Sequence, residues 1–178
     1  KSDPIHLKEG KLQIPANMWY IGTINNDDST FMVTDKVYDR AMPIDINDKG
    51  EAFDPVDTPA QDINYSYLDN LFQTAIKDNQ ISEDTLNKIE KMDNYVIKHF
   101  RIAFSNRMVA HMKKFVPVFV ACGGTEVDGV DYFIARKILR KFEMLNLTFL
   151  KKELDELILL LDKPFGKEQF LVSKDFIQ

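Results

Sequence analysis

Residues Ile14 to Ile46, IPANMWYIGTINNDDSTFMVTDKVYDRAMPIDI, decide how the rest of the chain is understood. The run Met18-Trp19-Tyr20-Ile21-Gly22-Thr23-Ile24 is apolar and aromatic, and its length suits one buried strand. It stops abruptly at Asn25-Asn26-Asp27-Asp28-Ser29-Thr30, where every residue is polar. Ser29 or Thr30 is placed to cap a helix with Phe31, Val33, Val37 and Tyr38 among its apolar positions, closing on Asp39-Arg40. Ala41 to Ile46 then reads as a short second strand. The stretch predicts a strand-helix-strand unit with Asn25 at the C-terminal tip of its buried strand. Open α/β sheets place ligand chemistry at such tips.

Upstream, Lys1 to Leu12 is a polar lead-in punctuated by Pro4 and Gly10, and Pro15 suits a strand's first residue. Downstream, Asn47 to Asn64 has the composition of an acidic linker, with Gly50, Pro55 and Pro59 and little to bury. Its aspartates lack the spacing of a calcium loop, so they are expected to be solvated. The organisation expected is residues 1–46 as one unit, 47–64 as linker and 65–178 as a helical bundle.

Within 65–178, Tyr67, Leu68, Leu71, Phe72, Ala75 and Ile76 recur at helical spacing. Ser82 precedes a longer helix with Leu86, Ile89, Met92, Tyr95, Val96, His99 and Phe100 on one face. His99 is expected at the rim of the core rather than on a metal. Ser105 opens the next helix, Pro117 should kink or divide it, and Gly123-Gly124 should end it. Asp128 to Phe142 follows, with Arg136-Lys137 and Arg140-Lys141 expected on a solvated face or, alternatively, in a phosphate-contacting patch. Thr148 is a candidate cap for a last amphipathic helix, Phe149 to Leu161, and the tail has room for one short helix more.

A net charge of −5 argues against a self-sufficient nucleic-acid binder. The single cysteine, Cys122, excludes an internal disulfide, fits a cytoplasmic location, and is expected to be a small buried residue rather than a nucleophile. No apolar run is long enough for a membrane-spanning helix.

The pattern hydrophobic-Ile-Gly-Thr-hydrophobic-Asn, then a polar stretch, then Asp35-Lys36-x-x-Asp39-Arg40, resembles the second half of a AAA+ nucleotidase core. It is most similar to the McrB-like branch, the GTP-driven motors of modification-dependent restriction systems, with MoxR-type ATPases next. The resemblance is specific over Ile14 to Ile46 and looser through Ile177. It implies that Asn25 is the first sensor residue, touching phosphate or attacking water, and that Arg40 is an arginine finger acting on a neighbouring subunit. Ser105-x-Arg107 resembles the second sensor of a MoxR-type helical lid, which would bring Arg107 to the nucleotide phosphates. McrB-like proteins commonly carry consecutive arginines at the finger, where this chain has Arg40-Ala41-Met42; MoxR-type proteins carry a single Asp-Arg.

The fold class implied is thus an α/β remnant of a AAA+ core followed by a mainly α lid. The sequence contains no Gly-Lys-Ser/Thr phosphate loop and no strand ending in paired acids for Mg²⁺. The resemblance therefore implies a C-terminal fragment, with ATP or GTP and Mg²⁺ held by the longer parent and no cofactor or metal expected on the fragment itself. It also implies a homo-oligomeric ring, a hexamer in the family, with an accessory nuclease as partner and DNA contacted through other domains. The competing expectation is a non-catalytic helical module that binds another protein. In that case Asn25 is a turn residue, Arg40 pairs with Asp39 or Asp35, and Arg107 pairs with a nearby carboxylate.

Overall fold

A computed structural model describes residues 7–24, 34–46 and 49–177. The chain divides into two compact units, Lys1–Met32 and Val33–Gln178. In the first, β1 (Leu7–Lys8) and β2 (Lys11–Leu12) form a small antiparallel hairpin that pairs Leu7 with Leu12 and Lys8 with Lys11. Its turn residues Glu9 and Gly10 have φ of 54° and 72°, the mirror-image turn that matches strand twist. Residues 18–24 do not form the expected strand. The Met18 N–H closes a turn on the Pro15 carbonyl at 3.2 Å, and no described segment supplies a ladder. Trp19 is 61% exposed and Ile21 96%. Apolar, strand-favouring residues fix no strand by themselves, because a strand's backbone bonds must come from a neighbour.

The second unit begins with α1 (Asp35–Tyr38), much shorter than the expected helix, whose earlier residues lie outside the described ones. Residues 41–46 are not a strand either. Pro43 removes a ladder donor, Met42 packs on the helical core, and Asp45 is drawn into ion pairs. Residues 49–64 are exposed and irregular.

The helical part follows its capping residues closely. Asn64 accepts from the Tyr67 N–H at 2.8 Å and starts α2 (Tyr65–Asp78). Ser82 accepts from the Thr85 N–H and starts α3 (Glu83–Phe100), with Glu83 and Asp84 in its first turn and Lys98 and His99 in its last. Ser105 starts α4 (Asn106–Ala121), and Thr125 starts α5 (Glu126–Lys137). Pro117 does not divide α4; the helix runs through it with the ring buried. Gly124 follows because the Phe119 ring lies where a Cβ would be.

After α5 come a 3-10 turn at Leu139–Met144 and another at Leu147–Phe149, then α6 (Lys151–Phe165) and α7 (Leu171–Ile177). Thr148 does not cap α6, because the second 3-10 turn absorbs it and α6 begins after Leu150 without a side-chain cap. Cys122 is exposed, since it sits at the C-terminal end of α4 where the chain turns outward.

The core joins Met92, Val96 and Phe100 of α3, Met108, Met112 and Val116 of α4, Val130 and Ile134 of α5, and Leu157 and Leu161 of α6. α5 is the central element, contacting α4 and α7, and even its polar Asp131 and Lys137 are buried. Asp131 is held by α7: its carboxylate accepts from the Val172 N–H at 2.9 Å and the Ser173 N–H at 2.8 Å, capping that helix from a distance. Glu126 does the same for α3, accepting from the Ser82 N–H and hydroxyl, each at 2.8 Å, and from the Thr85 hydroxyl. Tyr95 ties α3 to α6 by donating to the Glu153 carbonyl and the Glu156 carboxylate, each at 3.0 Å. His99 stacks on Tyr95 at the core rim, with ring centroids 4.2 Å apart. The protein is mostly helical, a bundle, and among the described residues no helix is long and apolar enough to cross a membrane.

Candidate functional site

Asn25 lies outside the described residues. Arg40 sits two residues beyond α1 in a hydrogen-bonded turn, exposed, and its Nη1 donates to the Lys36 carbonyl at 3.0 Å. It does not pair with Asp39, whose carboxylate instead meets Lys141 Nζ at 3.0 Å. Arg107 lies in the first turn of α4, exposed, with no hydrogen-bond or ion-pair partner among the described residues.

No described contact joins Arg40 to Arg107, but both border one electropositive neighbourhood. Lys137, 3% exposed, reaches from α5 to the turn that carries Arg40. Its Nζ donates to the Tyr38 carbonyl at 2.6 Å and to the Ala41 carbonyl, so an ammonium closes the C-terminal end of α1. Burial lowers the Lys137 pKa; Asp39 acts against this and Lys141 with it. Burial also lowers the His111 pKa, followed by the charges of Lys137, Lys114 and Arg107. Arg107, His111 and Lys114 recur at helical spacing along α4.

The expectation of a solvated basic face is corrected here. Arg136, Lys137, Arg140 and Lys141 are buried or half-buried because residues 38–45 dock on them. Asp45 pairs with Arg136 and, at 2.8 Å, with Arg140. The Arg140 guanidinium lies over the Tyr38 ring, 4.7 Å from its centroid, and Arg136 over Tyr132 at 5.5 Å. Burial, then the like charge of Arg140, lowers the Arg136 pKa. The Nε atoms of both arginines are buried without a partner. The sequence showed the four cations but not their mate, since Asp45 lies some ninety positions upstream.

No family model, curated protein or solved structure matches the chain. The site is therefore defined by its own geometry. A groove of about 490 Å³ beside α6, walled by Leu147, Leu154, Ile158 and Ile177 with Lys151 and Asp155 at its rim, offers no comparable convergence of charge.

Proposed function

We propose that this chain is the C-terminal part of a AAA+ nucleoside triphosphatase, the helices α2–α7 serving as the lid and Arg40 and Arg107 as phosphate-directed arginines. The observation that carries this reading is the state of the two arginines. Both are exposed at the ends of helical segments, Arg107 has no partner among the described residues, and Arg40 is held by one backbone carbonyl while its neighbours on either side are clamped to α5 and the 3-10 turn after it. A cation held in position but left unpaired is what charge stabilisation of a transferring phosphoryl group requires. Nucleotide and Mg²⁺ would be held by a phosphate loop and acidic pair elsewhere in the parent, the residues here contributing orientation and charge.

The test is subunit mixing in the parent. Arg40→Ala should lower turnover by about 10³–10⁵, the scale of known arginine fingers. Mixed with a subunit whose phosphate-loop lysine is mutated, it should recover part of the activity, because some interfaces then pair an intact site with an intact finger. Co-assembled mutants that stay inactive would remove the trans role from Arg40. Arg107→Ala should weaken nucleotide binding as well as turnover. Asn25→Ala should lower kcat by about a hundredfold with affinity little changed.

A second reading, a non-catalytic module that binds another protein, is favoured by exposed Trp19, Tyr20 and Ile21 and by Tyr67 and Leu71 on α2. It predicts normal parent turnover in the Arg40→Ala protein.

A further inference from the structure

The contact that residues 38–45 make with α5 and the 3-10 turn after it is unbalanced in a specific way. Four cations, Arg136, Lys137, Arg140 and Lys141, face two carboxylates, Asp39 and Asp45. Asp39 is taken by Lys141, and the Lys137 ammonium is satisfied by backbone carbonyls. That leaves two guanidinium groups sharing the single carboxylate of Asp45, each with a buried Nε that has no acceptor. A carboxylate offers two oxygens and one charge. Two arginine forks present more donors than that, and a phosphate group with three terminal oxygens and up to two charges fits them better. The Arg136 and Arg140 side chains are 16% and 12% exposed and Asp45 is 23% exposed, so the cluster is sheltered yet reaches solvent.

We propose that Arg136 and Arg140 form a binding site for a phosphate-class oxyanion, and that Asp45 is its intramolecular occupant, displaced when the ligand binds. The means of displacement lie beside it. Ile46 is exposed and residues 49–64 are irregular and exposed, so no secondary structure among these described residues pins the chain beyond Asp45. Departure of Asp45 also loosens the segment that carries Arg40, so anion binding at α5 changes how firmly that turn is held. The site itself stands independently of the nucleotidase reading, because it rests on charge and geometry within this chain.

The probe is inorganic pyrophosphate, titrated calorimetrically at low ionic strength into the full chain and its variants. An intramolecular competitor reduces apparent affinity by the fraction of time it vacates the site. Asp45→Asn should therefore bind pyrophosphate about tenfold more tightly than the natural chain, a vacancy of about one part in ten. Arg140→Gln should lose binding by at least about tenfold, and Arg140→Lys, which keeps the charge and loses the fork, should fall between. In the natural chain, saturating pyrophosphate should speed amide exchange across residues 38–46 while α3 and α4 stay protected. Circular dichroism checks that each variant is folded, and the Lys variant serves if the Gln variant is not. Equal affinity in Asp45→Asn and the natural chain, or full binding by Arg140→Lys and Arg140→Gln, overturns the proposal. So does absence of pyrophosphate binding by Asp45→Asn at millimolar concentration. A parallel ATP titration separates sources: competition with pyrophosphate assigns the site to nucleotide phosphates, and failure to compete assigns it to free polyphosphate. Because the mixing experiment reads Arg40 in the parent, either result can fail without the other.

Discussion

Residues 18–24 and helix α5 are both dense in apolar side chains, yet they end in opposite environments. Ile21 is 96% exposed, whereas Val130 and Ile134 of α5 are fully buried. The difference is in who supplies the backbone hydrogen bonds. A helix closes its own and then needs only a neighbouring surface for its apolar stripe. A strand needs a partner backbone before its side chains have anything to pack on, and none of the described residues offers one to 18–24. The helices thus close their own backbone bonds, while the aromatic stretch finds no ladder partner among the described residues.

The largest effect that would sharpen this contrast is a cavity in the bundle. Leu157 of α6 is fully buried in the core, so Leu157→Ala should cost about 2–5 kcal/mol in chemical denaturation. A loss under about 1 kcal/mol would mean that the bundle collapses around the gap and is less tightly packed than α5 suggests. Next comes the cap that α5 lends to α7. Asp131→Ala removes the acceptor for the Val172 and Ser173 N–H groups and should cost about 2 kcal/mol. Amide exchange localises it: Val172 and Ser173 should lose protection while α3 keeps its own.

How much was legible follows from the reach of each interaction. Ser82 and Ser105 bond to an N–H three residues away, so their capping role is written locally, and the helices they start were foreseeable. The Asp131 cap is not local: its acceptors serve residues more than forty positions on, and nothing near Asp131 announces them. Thr148 looked like a cap because a threonine before an amphipathic run usually is one, but a 3-10 turn took that position. Arg136, Lys137, Arg140 and Lys141 looked solvated for the same reason: the residues that cover them lie more than ninety positions upstream. Of the candidate site, the place of Arg107 in the first turn of a helix was legible from Ser105; the burial of the four cations was not.

Glu126 gives a smaller effect with a definite sign. Burial raises its pKa, but hydrogen bonds from Thr85 and Ser82 outweigh that and leave it lowered overall. A carboxyl whose folded pKa is depressed contributes stability that is present above its unfolded value and is lost as pH falls through the folded one. The stability curve should therefore drop below the ordinary glutamate range, and Glu126→Gln should flatten that part of the acid limb. At neutral pH the substitution should cost about 1 kcal/mol, since the amide still accepts from one side. An unchanged acid limb would show that the α3–α5 link is not held by charge.

The smallest effect is the most informative about residues 18–24. Ile21→Ser alters a side chain with almost no protein contact, so the isolated chain should change stability by less than about 0.5 kcal/mol. Trp19, the sole tryptophan, gives an independent reading of the same stretch. At 61% exposure its fluorescence should be quenched by acrylamide nearly as well in the native chain as in urea. A loss above about 1 kcal/mol, or a native Trp19 shielded from quencher, would mean that the stretch is packed as a buried strand is. In a nucleotidase parent the outcome should reverse. There, neighbouring strands would supply the missing ladder, Ile21 would face a core, and the same serine substitution should cost about 2–4 kcal/mol. A binding module predicts a different pair of results: little change in stability in either protein, and a loss of partner affinity instead. The comparison of one substitution in two lengths of chain thus separates an apolar stretch awaiting its own sheet from one that serves a separate partner.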